Sequence, residues 1–165
     1  LIVDVKQPLL LVTEPGKEEE TVTRLSRVGF DNVLGHLKGG FAAWLAAGKE
    51  ADVVDRITAE RFATEVEIGK DKVLDIRKET EYAAEHVEEA YNRPLANIND
   101  WIKDINADEH FYVHCAGGYR SMIAASILQA RGYRNFTEIE GGFKAISNTT
   151  LPRTDFVCQS KVMKA

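Results

Sequence analysis

Short apolar runs alternate with amphipathic segments over the last two thirds of the chain. Three such runs predict buried strands, at Lys72–Ile76, His110–His114 and Asn135–Ile139. Apolar residues at helical spacing predict helices over 59–66, 78–87, 99–105 and 121–131, with a last one from Gly141. Thr58 suits the cap of the first helix, and Gly132 suits the end of the fourth. Strands alternating with helices predict the α/β class, with an open parallel sheet and helices on both faces.

The pattern also contains an internal repeat. "RVGFDNVLGHLKGGFAAW" (27–44) is similar to "ARGYRNFTEIEGGFKAI" (130–146), with the Gly-Gly-Phe triplets 102 residues apart. Further upstream, an offset of 101 sets "PLLLVTEPGKEE" against "HFYVHCAGGYRS" and places Glu14 on Cys115. Whatever precedes Ile102 in the second copy has no counterpart in the first. We therefore predict a partial, catalytically inactive back half of a domain at 1–51, a linker at 52–57, a complete domain at 58–150 and a C-terminal tail at 151–165.

Composition narrows the possible partners. The net charge is −5, with acidic residues spread along the chain, which argues against nucleic acid as a partner. No apolar run approaches the length of a membrane span, so no membrane partner is expected. The two cysteines, Cys115 and Cys158, lie in unlike contexts that suggest no disulfide, and a reducing, cytoplasmic location is the default expectation. Since the chain begins without Met, we also expect a processed or excised piece.

Candidate chemistry is concentrated in "HCAGGYRS", at the end of the second predicted strand. A cysteine becomes a nucleophile when its thiolate is stabilised by cations, a helix N-terminus or converging N–H groups. Gly117 and Gly118 permit a positive φ that turns consecutive N–H groups inward, Arg120 adds a cation, and the helix from Ser121 directs its positive end at the loop. The alternative is a buried structural cysteine beside an ordinary turn.

These residues give the second copy a resemblance to the rhodanese (sulfurtransferase) family, carried also by "VLDIRKETEYAAEHVEEAYNRPL" (73–95) and by Gly141-Gly142-Phe143. The resemblance implies a catalytic Cys115 that takes up sulfane sulfur as a persulfide and passes it to a thiol, cyanide or protein acceptor. It implies no metal and no cofactor. Asp75 and Arg77 are assigned support or substrate contact, with a strand-end salt bridge as the equal alternative. The anion-binding loop it implies comprises Ala116, Gly117, Gly118, Tyr119, Arg120 and Ser121.

"CAGGYRS" further resembles rhodanese modules fused behind metallo-β-lactamase-fold domains of the persulfide dioxygenase type, although no H-x-H-x-D-H motif occurs here. The expected partners are a small anionic sulfur donor and a thiol acceptor. Because a half domain exposes apolar faces, we also expect a homodimer or an upstream domain in a longer parent chain.

Two other functions compete with sulfur transfer. A cysteine phosphatase needs H-C-x5-R, whereas Arg120 comes one residue too early and Ser121 holds the arginine position. A non-enzymatic binding or sulfur-sensing module is the second alternative. Among the remaining candidates, His86 is expected to be structural and His114 to face away from the pocket. Tyr119 is placed at the pocket mouth, and Cys158 is expected to be a surface thiol, with resolution of a persulfide as its alternative role.

Overall fold

A computed structural model describes residues 4–158, which form two compact units with a boundary between Val53 and Val54. The first unit contains two strands and two helices. They are β1 (Leu9–Leu11), α1 (Glu18–Ser26), β2 (Val33–His36) and α2 (Gly40–Ala46). The two strands pair in parallel. Among residues 4–53 only Gly40 is buried, and Leu10, Leu34 and Phe41 are more than half exposed, so this unit lacks an apolar core.

The second unit is an α/β domain built on five parallel strands in the order β3-β7-β6-β4-β5. The strands are β3 (Arg56–Ile57), β4 (Lys72–Asp75), β5 (Tyr91–Asn92), β6 (Phe111–His114) and β7 (Phe136–Ile139). The helices are α3 (Ala59–Glu65), α4 (Glu79–Ala84), α5 (Ile98–Trp101), α6 (Tyr119–Ala130) and α7 (Gly142–Ile146). Two 3₁₀ turns, Leu95–Asn97 and Ile102–Asp104, flank α5. The predicted α/β class and parallel sheet are confirmed.

The sheet is covered by packing on both faces. On one face Phe62 of α3 and Ile146 of α7 are fully buried in a single apolar cluster, where Phe62 meets Tyr112 edge to face. Because side chains alternate along a strand, Phe111 points to the opposite face, where it stacks on Phe136 of the neighbouring strand. Among residues 4–158, no helix has the length and apolarity required to cross a bilayer.

The structure differs from the sequence prediction at both ends of the domain. Residues 56 and 57, predicted as linker, form the edge strand β3, which pairs with β7. Part of the predicted tail packs on the domain: Leu151 is buried, and the N–H of Val157 donates to the carbonyl of Ala84 at 2.7 Å. Residues 159–165 of that tail lie outside the described residues.

Helix α7 clamps the loop that follows β6. The N–H groups of Phe143 and Lys144 donate to the carbonyls of Cys115 and Ala116, at 2.7 and 2.9 Å. The contact requires glycine at position 142, because its φ is +57° and a Cβ there would lie 2.4 Å from the Cys115 oxygen. The Gly-Gly-Phe sequence therefore joins the last helix to the backbone of the cysteine loop.

We predict that Gly142→Ala lowers the free energy of unfolding by about 3 kcal/mol, the sum of a positive-φ penalty and overpacking against the loop. Gly132→Ala is the matched control, since its φ is +90° but a Cβ there meets nothing within 4 Å. The control should lose only about 1 kcal/mol. Urea unfolding of both variants measures the difference, and equal losses would contradict the clamp.

Candidate active site around Cys115

Cys115 follows the last residue of β6 and lies at the carboxyl end of a central strand of the sheet. A short loop leads from it into α6, which begins at Tyr119, two residues before the predicted start. The turn into the helix is made by Gly118, whose φ of +97° suits glycine. Gly117 is not in the left-handed region, so the chain uses a positive φ at only one of the two glycines expected to adopt it.

The sulfur of Cys115 lies inside the loop, and the residue is 1% exposed. The N–H of Gly118 donates to Sγ at 3.2 Å, and the Ser121 hydroxyl lies 3.5 Å from Sγ. Burial alone raises the pKa of the thiol. Hydrogen bonds from the Ser121 hydroxyl and from the N–H groups of Ser121, Gly117 and Gly118 outweigh burial, so the pKa lies below that of an ordinary cysteine. The loop therefore favours a thiolate.

Arg120 forms a bidentate ion pair with Glu81 of α4, with nitrogen–oxygen distances of 2.7 and 2.8 Å. The side chains of Arg120 and Glu81 are each about one quarter exposed to solvent. Its hydrogen bonds hold the pKa of Glu81 below its usual range and raise that of Arg120, which also interacts with Cys115 through charge. The predicted loop cation is thus present, and a carboxylate neutralises it.

Asp75 and Arg77 form a buried ion pair at the end of β4. Arg77 also donates to the carbonyl of Glu85 at 2.7 Å, and its guanidinium lies 3.9 Å from the centre of the Phe143 ring. These contacts tie the end of β4 to α4 and α7. Of the alternatives open from the sequence, this geometry is that of the strand-end salt bridge.

The other predicted loop residues differ in exposure. Ala116 is half-buried and Gly117 exposed, while Tyr119 is 81% exposed and presents its ring to solvent.

Among the described residues 4–158, no group of three or more His, Cys, Asp or Glu side chains could hold a metal ion.

Neither His114 nor His86 is placed to act as a general base for the Cys115 thiol. The fully buried His114 approaches the Cys115 carbonyl with Nδ1 at 3.2 Å and stacks toward Phe143, while the Cys115 sulfur faces Ser121. Burial lowers the pKa of His114, so its ring is neutral. His86 stacks on Tyr82, and its Nδ1 lies 2.7 Å from the Tyr82 carbonyl, which is the expected structural role.

Two acidic residues at the site were not predicted from the sequence. Glu81 is one of two glutamates on α4, and nothing in its spacing singles it out. Glu138 is completely buried in β7, where Oε1 lies 2.5 Å from the Ser121 hydroxyl and Oε2 accepts from Arg56 at 2.9 Å. Its signal was a charged residue within the apolar strand "NFTEI".

Two backbone features of the first unit are similar to features of this site. Gly16 and Gly118 both precede a helix with positive φ, +84° and +97°. A Cβ on Gly40 would meet the Thr13 oxygen at 2.3 Å, just as one on Gly142 would meet the Cys115 oxygen at 2.4 Å. This correspondence places Thr13, and not Glu14, at the cysteine position. These contacts correspond at an offset of 102, whereas the pairing made from the sequence used 101.

Comparison with known proteins agrees with this geometry. The rhodanese-like domain family matches residues 58–149. The chain is 35% identical over 80 residues to the thiosulfate sulfurtransferase GlpE of Pseudomonas fluorescens, covering 48% of this chain and 72% of that protein. It is 28% identical over 92 residues to the uncharacterized protein YqhL of Bacillus subtilis, covering 56% of this chain and 71% of YqhL.

Among solved structures, a rhodanese-like domain protein from Staphylococcus aureus superposes with a TM-score of 0.54 at 28% identity, covering 60% of this chain and 97% of that one. The family match spans more than half of the chain and includes the cysteine loop and the clamp that holds it. The chain belongs to the rhodanese-like domain family.

Proposed function

We propose that this chain is a sulfurtransferase in which Cys115 carries sulfur as a persulfide between a small donor and a thiol or cyanide acceptor. The observation that carries the proposal is the set of N–H groups around the Cys115 sulfur, which lowers the thiol pKa without a metal or a histidine base. Similarity to a thiosulfate sulfurtransferase supports the same reaction class.

The reaction consists of two displacements at sulfur. In the first, the Cys115 thiolate attacks the sulfane sulfur of the donor, and the donor's S–S bond breaks. Sulfite or a thiolate leaves with the electron pair, and Cys115 becomes a persulfide anion. In the second, a thiolate or cyanide attacks the outer sulfur, and the Cys115 thiolate is released. The same N–H donors stabilise negative charge before and after each step.

The first test is intact-protein mass spectrometry after incubation with thiosulfate or glutathione persulfide. We expect one added sulfur in the wild-type chain and in Cys158→Ser, lost on treatment with cyanide. Cys115→Ser should gain none. An adduct that persists in Cys115→Ser, or no adduct with either donor, would contradict the proposal. The second result would favour a binding or sulfur-sensing module.

The ion pair at the loop suggests which donors the site uses. Because Glu81 neutralises Arg120, little net positive charge remains at the loop to attract a dianion such as thiosulfate. We therefore propose that the site favours donors whose reacting sulfur group carries less charge than thiosulfate, namely small persulfides, whose terminal sulfur carries at most one negative charge.

Glu81→Gln should release Arg120 and raise kcat/KM for thiosulfate about threefold, the scale of one partly exposed charge pair. Steady-state assays with cyanide as the acceptor measure this, and the gain should shrink at high ionic strength. Glu79→Gln, on the same helix, controls for a general change in charge. A fall in kcat/KM for Glu81→Gln would mean that the pair is needed to hold the loop.

We also propose that residues 1–51 are the back half of a second, catalytically inactive rhodanese-like copy. The shared element order, the two pairs of left-handed glycines and the absence of an apolar core support this. Threonine at the cysteine position cannot store sulfur as a persulfide. The fusion to a metallo-β-lactamase-fold domain remains a proposal that rests on "CAGGYRS" alone.

A further inference from the structure

A row of hydrogen-bonded polar side chains extends from the Cys115 sulfur to the edge of the sheet. The Ser121 hydroxyl lies 3.5 Å from the Cys115 sulfur, 2.9 Å from the Gly118 carbonyl and 2.5 Å from Oε1 of Glu138. The other oxygen of Glu138 accepts from Arg56 of β3 at 2.9 Å. Cys115, Ser121 and Glu138 are all essentially inaccessible to solvent. Neither Glu138 nor Arg56 takes part in the two sulfur displacements.

The row of hydrogen-bonded groups around Ser121 contains fewer donor hydrogens than acceptor atoms. A serine hydroxyl carries one hydrogen, whereas an ionised carboxylate, a carbonyl and a thiolate can only accept. The Ser121 hydrogen is therefore shared among Glu138, Gly118 and Cys115, and the carboxylate lies closest to the hydroxyl. When Glu138 takes the hydrogen, the Ser121 oxygen presents a lone pair to Cys115, which favours the protonated thiol.

We propose that Glu138 is a positioning residue that sets the reactivity of Cys115 by competing with its sulfur for the hydrogen of Ser121. Arg56 adjusts the competition, because pairing with Oε2 weakens the carboxylate as an acceptor. The consequence for sulfur transfer, which rests on the proposed function, is a thiolate kept from becoming too stable. Nucleophilicity falls as thiol pKa falls, so a thiolate with more stabilisation would attack more slowly.

Several other charges face these groups. Glu140 binds the far side of Arg56 at 3.2 Å and is partly exposed. His114, on β6, interacts electrostatically with Glu138 and Asp75. Arg120, on α6, interacts in the same way with Cys115. Within this set Glu140 offers a matched control. It follows β7 directly and shares the arginine partner of Glu138, while its side chain is 45% exposed.

The test is a titration of Cys115 by thiolate absorbance near 240 nm, in a Cys158→Ser background with the Cys115→Ser spectrum subtracted. Glu138→Gln should lower the Cys115 pKa by about one unit, the scale for removal of a nearby like charge. Glu140→Gln should leave the pKa within a few tenths of a unit. In a Ser121→Ala background the effect of Glu138→Gln should fall to less than half, because the serine transmits it.

Two results would overturn the proposal. One is a Cys115 pKa that stays the same or rises in Glu138→Gln. The other is a shift that keeps half or more of its size without Ser121, since the carboxylate would then act through space. Should Glu138→Gln fail to fold, Arg56→Gln gives the opposite test: the unpaired carboxylate holds the hydrogen more strongly, and the pKa should rise in a Ser121-dependent way.

The titration needs no sulfur donor, so its outcome is independent of the proposed function. A chain that shows the Ser121-dependent shift but forms no persulfide would reject sulfur transfer and keep the role of Glu138. A chain that forms the persulfide but shows no such shift would support sulfur transfer and reject the role of Glu138.

Discussion

A negatively charged sulfur held away from water is the condition on which the rest of this structure depends. Burial by itself raises the pKa of Cys115, and only hydrogen bonds from the loop and from Ser121 reverse that effect. Those donors point at the sulfur only while the loop keeps its shape. The elements around the loop can therefore be understood by how they hold it.

Three parts of the domain hold the loop from different sides. Helix α7 binds its carbonyls, with Gly142 allowing the close approach. The ion pair between Arg120 and Glu81 ties its far end to α4. Arg77, paired with Asp75 and stacked on Phe143, connects α7 to the end of β4. The backbone groups that stabilise the thiolate are in this way fixed before a donor arrives.

The sequence was sufficient to predict features that depend on residues close together along the chain. The run before Cys115, the glycines after it and the Gly-Gly-Phe triplet predicted the strand, the turn and the last helix within two residues. The buried face of α6 was harder to predict. Met122, Ala125, Ile123 and Ile127 suggested the core-facing side. Of these only Ala125 is buried, together with Ser121, Ala124 and Leu128, since small side chains fit where the helix packs closely.

Features that depend on pairing between distant segments were not predicted. Glu138 contacts Ser121 only because β7 lies beside β6 in one register, and Glu81 meets Arg120 across two helices. The position of Thr13 depends in the same way on the register of β1 with β2, in which Leu11 pairs with His36. The offset of 101 taken from the sequence differs from this register by one residue.

The pKa of Cys115 in the wild-type site tests the account most directly. Titration of the thiolate absorbance in a Cys158→Ser chain isolates this one thiol. We predict a pKa below the value of about 8.5 for a free cysteine, so that a larger fraction is thiolate at neutral pH. A pKa at or above that value would show that burial outweighs the hydrogen bonds, and it would contradict the claim that the loop is built to hold an anionic sulfur.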